Sequence, residues 1–201
     1  IEKDINYGYR LNKKYEDLLK ITIDKINVFF SISNNIYEDL VGLNINKNKI
    51  FLVPNAVEIK KFLSEKENKE KILRFITVAR FAEKKKGLDI IKKIASLLID
   101  KKIQFKWLIV GKDSDKLLKN EFFENNKIYF ELIANIENLD ESYYPNSKLI
   151  KIYKSCNLYL NLARIESFGI TIIEALASEL PVITFDTKGG NELIVNNMNG
   201  N

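Results

Sequence analysis

The sequence predicts an α/β protein built on a doubly wound parallel sheet. Three observations lead there. From about residue 71, short apolar runs alternate with amphipathic stretches, the pattern of strands separated by crossover helices. The stretch after Gly87 places Leu88, Ile91, Ile94, Ala95 and Leu98 on one helical face. No internal repeat with a period of 20–50 residues occurs, which excludes a solenoid.

In chain order, a basic amphipathic stretch at about 10–23 comes first. Val28-Phe29-Phe30-Ser31-Ile32 follows as a strand, then a short helix, then the strand Ile50-Phe51-Leu52-Val53, ended by Pro54-Asn55. One βαβ fragment of this size does not close a core alone. Residues 1–56 are therefore expected to be the tail of a second, larger domain, or an appendage docked on the main one. Residues 57–72 read as an interdomain linker, with a highly charged run at 64–72.

Residues 73–201 form the main unit. Its strands are expected at 75–79, 105–110, 128–132, about 157–162 and 182–185. Its helices are expected from Gly87, over about 115–121, from Lys148, over about 169–179, and from about Asn191. Residues 136–147 are polar, contain Pro145 and read as a loop. Right-handed crossovers make this a Rossmann-like domain. The turn-like residues 196–201 close no element, so the domain is expected to be truncated at its end.

The composition narrows the chemistry. Of 201 residues, 46% are hydrophobic and 29% charged, ordinary for a globular protein. No apolar run approaches the roughly 20 residues of a membrane span. The net charge of +5 suits anionic partners: nucleotide phosphates, nucleic acid or an acidic membrane face. The single cysteine, Cys156, precedes an apolar stretch and reads as a buried free thiol in a reducing cytoplasm. There is no histidine, so Ser-His-Asp, Cys-His and His-metal chemistry are excluded from this stretch.

Ligands of doubly wound sheets bind outside the C-terminal strand ends, here the loops 80–87, 111–115, 133–147, 163–169 and 186–191. Arg80 ends the first strand and Lys86 immediately precedes a helix. Together they offer a diphosphate a bidentate fork and a point charge. Lys84 and Lys85 read as solvated neighbours. Phe168-Gly169-Ile170-Thr171 opens a helix whose free N–H groups favour an anion, which adds Gly169, Ile170 and Thr171 to the diphosphate candidates. Glu174, one turn beyond Ile170, repels a phosphate and instead suits a ribose diol. Glu166 precedes the turn and is placed to hold sugar hydroxyls.

These motifs resemble those of the retaining GT-B-fold glycosyltransferases of family 4, also called group 1. The specific part is Glu166-x7-Glu174 with Phe168-Gly169, followed by Pro181-Val182-Ile183, Gly189-Gly190 and Glu192-Leu193-Ile194. Val78-Ala79-Arg80, Lys86-Gly87, Leu108-Ile109-Val110-Gly111 and Val53-Pro54-Asn55-Ala56-Val57 extend it. Ser31 resembles the serine that ends the last core strand of the family's N-terminal domain.

The resemblance implies a GT-B C-terminal domain that takes a nucleotide-diphosphate sugar and transfers the sugar, with retention, to a glycan or lipid-linked acceptor. It makes Glu166 the catalytic candidate and, with Phe168 and Gly169, the donor-sugar contact. It assigns the diphosphate to Arg80, Lys86 and the 169–171 amides, the ribose to Glu174, and the base to Leu132, Ile133 and Ala134. It requires no metal and no other cofactor. The family's acceptor-side domain is a further expected partner. The location it implies is cytoplasmic, with the basic 10–25 stretch permitting peripheral contact at the inner membrane face. The sequence departs from the family at Ala56, where glycine is usual, and at Leu162-Ala163, where Pro-Ser is common.

Three other readings compete. Asp113-Ser114-Asp115 follows an apolar strand, as metal-binding Asp-x-Asp motifs do, though Asp115 equally suits a helix cap. A sugar-nucleotide epimerase of the same fold calls for a Ser-Gly-Gly-x-x-Glu-Glu run, which 189–192 lacks. A non-catalytic nucleotide- or nucleic-acid-binding module fits the charge. No RNA-binding aromatic motif or helix-turn-helix supports it, and the glutamate pair opposes a nucleic-acid backbone.

Overall fold

The computed structural model describes residues 13–63, 72–80, 84–136, 147–196 and 198–200. The charged run at 64–71 and most of the polar loop, 137–146, lie outside the described residues, as do residues 1–12 of the basic N-terminal stretch.

The first described element of the N-terminal part is helix α1 (Lys13–Ile23). A small parallel sheet follows, β1 (Phe29–Ser31) paired with β2 (Ile50–Leu52), with α2 (Asn34–Val41) between them. Ser33 caps α2, its Oγ accepting from the Ile36 N–H at 3.2 Å. Within the expected linker, α3 (Ile59–Phe62) forms one helical turn and buries Phe62.

Among the described residues, the main sheet has five parallel strands: β3 (Leu73–Val78), β4 (Phe105–Val110), β5 (Phe130–Ile133), β6 (Leu158–Asn161) and β7 (Val182–Thr184). Their order is β5-β4-β3-β6-β7. The chain winds outward from β3 to β5, then returns to place β6 on the other side of β3. The order therefore reverses between β3 and β6, where sheets of this kind open a crevice.

Both faces are covered because successive side chains alternate across each strand. Phe75, Phe105, Trp107, Ile109, Leu160 and Leu162 face α4 (Leu88–Asp100) and α5 (Glu121–Asn125), packing on Ile91, Ala95 and Phe123. Ile76, Leu108, Val110, Tyr159 and Val182 face α6 (Ser147–Lys154) and α7 (Ile170–Ala177), packing on Leu149, Tyr153, Ile172 and Ala175. Each fully buried Leu, Ile or Phe contributes about 1.5–3 kcal/mol. The buried Thr77 hydroxyl ties strands together: it donates to the Leu160 carbonyl at 2.9 Å and accepts from Trp107 Nε1 at 3.1 Å.

Local hydrogen bonding shifts three expected elements. The helix expected over 115–121 is a 3₁₀ helix at Ser114–Lys119 followed by α5. The Asn120 side chain divides them by accepting from the Phe122 N–H at 3.1 Å. Asp115 lies inside the 3₁₀ turn and caps nothing. The third strand starts at Phe130, because Lys127–Tyr129 form a 3₁₀ turn with Ile128 exposed. The last helix, α8 (Lys188–Leu193), starts three residues early because Thr187 Oγ1 accepts from the Gly190 N–H at 3.1 Å.

The N-terminal part docks on α8. The Glu192 carboxylate accepts from the backbone N–H groups of Asn34 at 2.8 Å and Asn35 at 2.7 Å, the unpaired donors at the start of α2. Burial alone raises this carboxyl, but the bonds from Asn35 and Asn34 outweigh it and hold the pKa below the usual glutamate value. Lys188 Nζ pairs with Asp39 at 2.7 Å beside it.

Candidate functional site

A cleft of about 430 Å³ opens at the C-terminal ends of β3, β4 and β6, at the point where the strand order reverses. The end of β3 supplies Val78, Ala79 and Arg80; the 3₁₀ turn Lys84–Lys86 supplies Lys85 and Lys86. Gly111 and Lys112 follow β4, Asn161 ends β6, and Glu166, Ile170 and Thr171 come from the loop and the start of α7.

Backbone contacts place Lys86. Gly87 caps α4 with φ +74°, and a Cβ there would sit 2.1 Å from the Leu162 carbonyl oxygen. The turn therefore rests directly on the end of β6. The Arg164 N–H donates to the Lys85 carbonyl at 2.7 Å. Its guanidinium grips Asp89, in the first turn of α4, through two bonds of 2.8 and 2.6 Å. The Arg164 hydrogen bonds hold the Asp89 carboxyl below its ordinary pKa, against a smaller effect of burial. With the two loops joined, Lys86 Nζ stands 3.4 Å from Glu166 Oε2. The Glu166 loop is anchored from behind, its carbonyl accepting from the Gly189 N–H at 2.8 Å.

Of the sequence candidates, Arg80, Lys86, Glu166, Ile170 and Thr171 meet on this one wall. Gly169 stands just behind it as the N-cap of α7, and Phe168 is buried. Leu132, Ile133 and Ala134 are half-buried at the end of the edge strand β5, off this wall. Sequence reading placed Lys85 in solvent; the structure corrects this, because the Arg164–Lys85 backbone bond turns that residue into the cleft. Lys112 and Asn161 were missed. Both had a signal: Lys112 follows the strand-end Gly111, and Asn161 is the one polar residue in Leu158-Tyr159-Leu160-Asn161-Leu162.

Arg80, Lys85, Lys86 and Lys112 face a single carboxylate, Glu166, so the cleft favours an anion. Asp113 pairs with Lys116. Among the described residues, no group of three or more Asp, Glu or Cys side chains is arranged to hold a metal.

Glu174 lies beneath the wall, on α7, fully buried. Tyr153 Oη donates to its Oε2 at 2.8 Å, while Oε1 makes no hydrogen bond. Burial pushes the carboxyl up from 4.5 to about 7, with the Tyr153 bond opposing. The folded state then holds a proton that the unfolded chain releases, so stability falls as pH rises from about 4.5 to 7. Glu174→Gln is expected to remove this loss. Its stability relative to wild type should rise by roughly 2 kcal/mol between pH 5 and 7. Urea unfolding at both pH values checks it; parallel behaviour of the two proteins would show that Glu174 titrates normally.

Among the described residues, no helix is long and apolar enough to cross a membrane. The chain is 26% identical to the UDP-N-acetylglucosamine--peptide N-acetylglucosaminyltransferase GtfA subunit of Streptococcus pneumoniae, over 96% of this chain and 37% of that protein. The structure of pneumococcal GtfA in complex with UDP and GlcNAc superimposes with a TM-score of 0.70 at 23% identity, covering 93% of this chain and 36% of that one. Sucrose-phosphate synthase from Thermosynechococcus elongatus superimposes with a TM-score of 0.76 at 18% identity, covering 94% and 48%. The chain thus spans between about a third and a half of the length of these relatives, and the structural likenesses speak for the fold. The model of the family described as "Glycosyl transferases group 1" matches residues 57–201. With that match over most of its length, and with the reversed-order parallel sheet and the Glu166–Glu174 block, the chain belongs to the group 1 glycosyl transferases.

Proposed function

We propose that this chain is the donor-binding part of a glycosyltransferase that moves a sugar from a nucleoside-diphosphate sugar to an acceptor, with retention of anomeric configuration. The observation that carries this is the cationic cleft: Arg80, Lys85, Lys86 and Lys112 surround the start of α7, with Glu166 at the edge. In the proposed mechanism the diphosphate lies against Arg80, Lys86 and the amides at the start of α7. These groups stabilise the negative charge that grows on the leaving diphosphate as the sugar–phosphate bond breaks. Glu166, held 3.4 Å from Lys86 Nζ, accepts hydrogen bonds from the donor sugar and keeps its anomeric carbon beside the diphosphate. In this reading Glu174 is the ribose contact; it lies buried beneath the wall with Oε1 unpartnered. Leu132 to Ala134 contact the base. The scheme uses no metal, since the side-chain cations carry the charge compensation.

Residues 1–56 act in this reading as the tail of the acceptor-side domain, docked through Glu192 and Lys188, and 57–72 as the connection between the two domains. The enzyme works in the cytoplasm, at the inner membrane face when the acceptor is lipid-linked. UDP is the nucleotide named with the GtfA structure and a peptide the acceptor in that relative's name. UDP and a peptide are therefore the first partners to test here, beside glycan acceptors. Calorimetry is expected to show UDP or GDP binding at equal strength with and without EDTA. Strict dependence on a divalent cation, or no affinity for any nucleoside diphosphate, would overturn the reading.

A further inference from the structure

Asn161 is the last residue of β6 and is only 6% exposed. Its neighbours Leu160 and Leu162 point into the core under α4. Strand alternation therefore turns Asn161 to the opposite face, toward the start of α7, where Ile170 and Thr171 form the wall. Its side chain lines the cleft with Arg80 and Lys86.

The amide is oriented. Ala163 N–H donates to Oδ1 at 3.3 Å, and turning the amide over would set two donors against each other. The NH₂ group is thereby fixed on the other side, and Nδ2 is buried with no hydrogen-bond partner. Buried donors are nearly always satisfied, and one that is not calls for a reason. An apolar side chain would fill this strand end without burying a donor. The cleft that Asn161 lines also carries Arg80, Lys85, Lys86 and Lys112, so an acceptor arriving there is most favourably an anionic oxygen. Thr171 offers a second neutral donor nearby. Its Oγ1 already accepts from Tyr159 Oη at 2.7 Å, which leaves its own proton to point elsewhere.

We propose that Asn161 is a donor-binding residue whose side-chain N–H binds a phosphate oxygen of the nucleotide diphosphate, between the cations of the β3 loop and the start of α7. This rests on the nucleotide-sugar reading above. It adds a neutral, oriented donor where a lysine would only add charge, so it fixes the position of the diphosphate relative to Glu166.

The test measures UDP and inorganic pyrophosphate binding by calorimetry to the full chain and its variants. Asn161→Asp keeps the size and the acceptor for Ala163 but replaces the donor with a carboxylate oxygen. It is expected to weaken both ligands by about a hundredfold, and Asn161→Leu by about tenfold, the loss of one hydrogen bond to a charged group. The melting temperature of Asn161→Asp without ligand is expected to stay close to wild type, because a carboxylate oxygen still accepts from the Ala163 N–H; Asn161→Leu also loses that acceptor and is expected to melt lower. Should Asn161→Asp fail to fold, Asn161→Ala removes the donor together with the Ala163 acceptor, and its ligand affinity is read on the folded protein. Wild-type binding of UDP with affinity within about twofold in the folded variants would overturn this inference and leave the nucleotide-sugar reading intact. Failure of the wild type to bind either ligand would overturn both.

Discussion

Lys86→Ala is expected to weaken UDP binding by roughly ten- to a hundredfold, the loss of one or more charge-assisted contacts. Two effects act in the same direction. The variant loses a cation 23% exposed, on the wall of the cleft. It also leaves Glu166, itself 17% exposed, without its ion-pair partner at 3.4 Å. An unpaired carboxylate beside the site repels an incoming diphosphate, so the loss exceeds that of one contact. Lys101→Ala is the control. Lys101 follows the C-terminus of α4, about 20 Å along a 13-residue helix from the cleft end, and its removal should leave affinity unchanged. Isothermal titration of both variants decides the matter; equal losses would mean that bulk charge, and not the placement of Lys86, drives binding.

Gly87→Ala is expected to destabilise the main domain by about 3 kcal/mol or more and to lower its melting temperature by on the order of 10 °C. Left-handed backbone costs a residue with a Cβ about 1–2 kcal/mol. At Gly87 the new carbon would also meet the Leu162 carbonyl oxygen at 2.1 Å, against backbone that cannot turn aside. Relief requires the Lys84–Lys86 turn to lift off β6, which breaks the Arg164–Lys85 bond and moves Lys86. Gly42→Ala is the comparison: φ is −63° and the nearest contacts are 3.4 and 3.5 Å, so it should be neutral or slightly stabilising. Thermal unfolding followed by circular dichroism separates the two. A Gly87→Ala protein as stable as Gly42→Ala would mean that the turn is not seated on β6.

The parallel sheet was legible because strands buried on both faces are uninterrupted apolar runs, such as Trp107-Leu108-Ile109-Val110, and because α4 repeats its apolar residues at helical spacing. Arg80 and Lys86 could be placed near the crevice because both follow strand β3, and strand ends in such sheets open on one side. Short elements were less legible. The 3₁₀ turn before β5 and the early start of α8 depend on single caps, Asn126 to Tyr129 and Thr187 to Gly190, that carry little periodic signal.

What the sequence determined alone was therefore the order and type of the main elements and the chemistry of the strand-end loops. These are written in local periodicity and in residue identity. The tertiary structure decided which loop residues share one cleft. Lys85 enters it through a backbone bond to Arg164, 79 positions away. Asn161 enters because the pleat turns it away from Leu160 and Leu162. Glu174 is a buried carboxyl held by Tyr153. Lys85 and Glu174 depend on partners distant in sequence, and Asn161 on which face of the sheet opens to the cleft; such burial and hydrogen bonding exist only once the sheet is assembled.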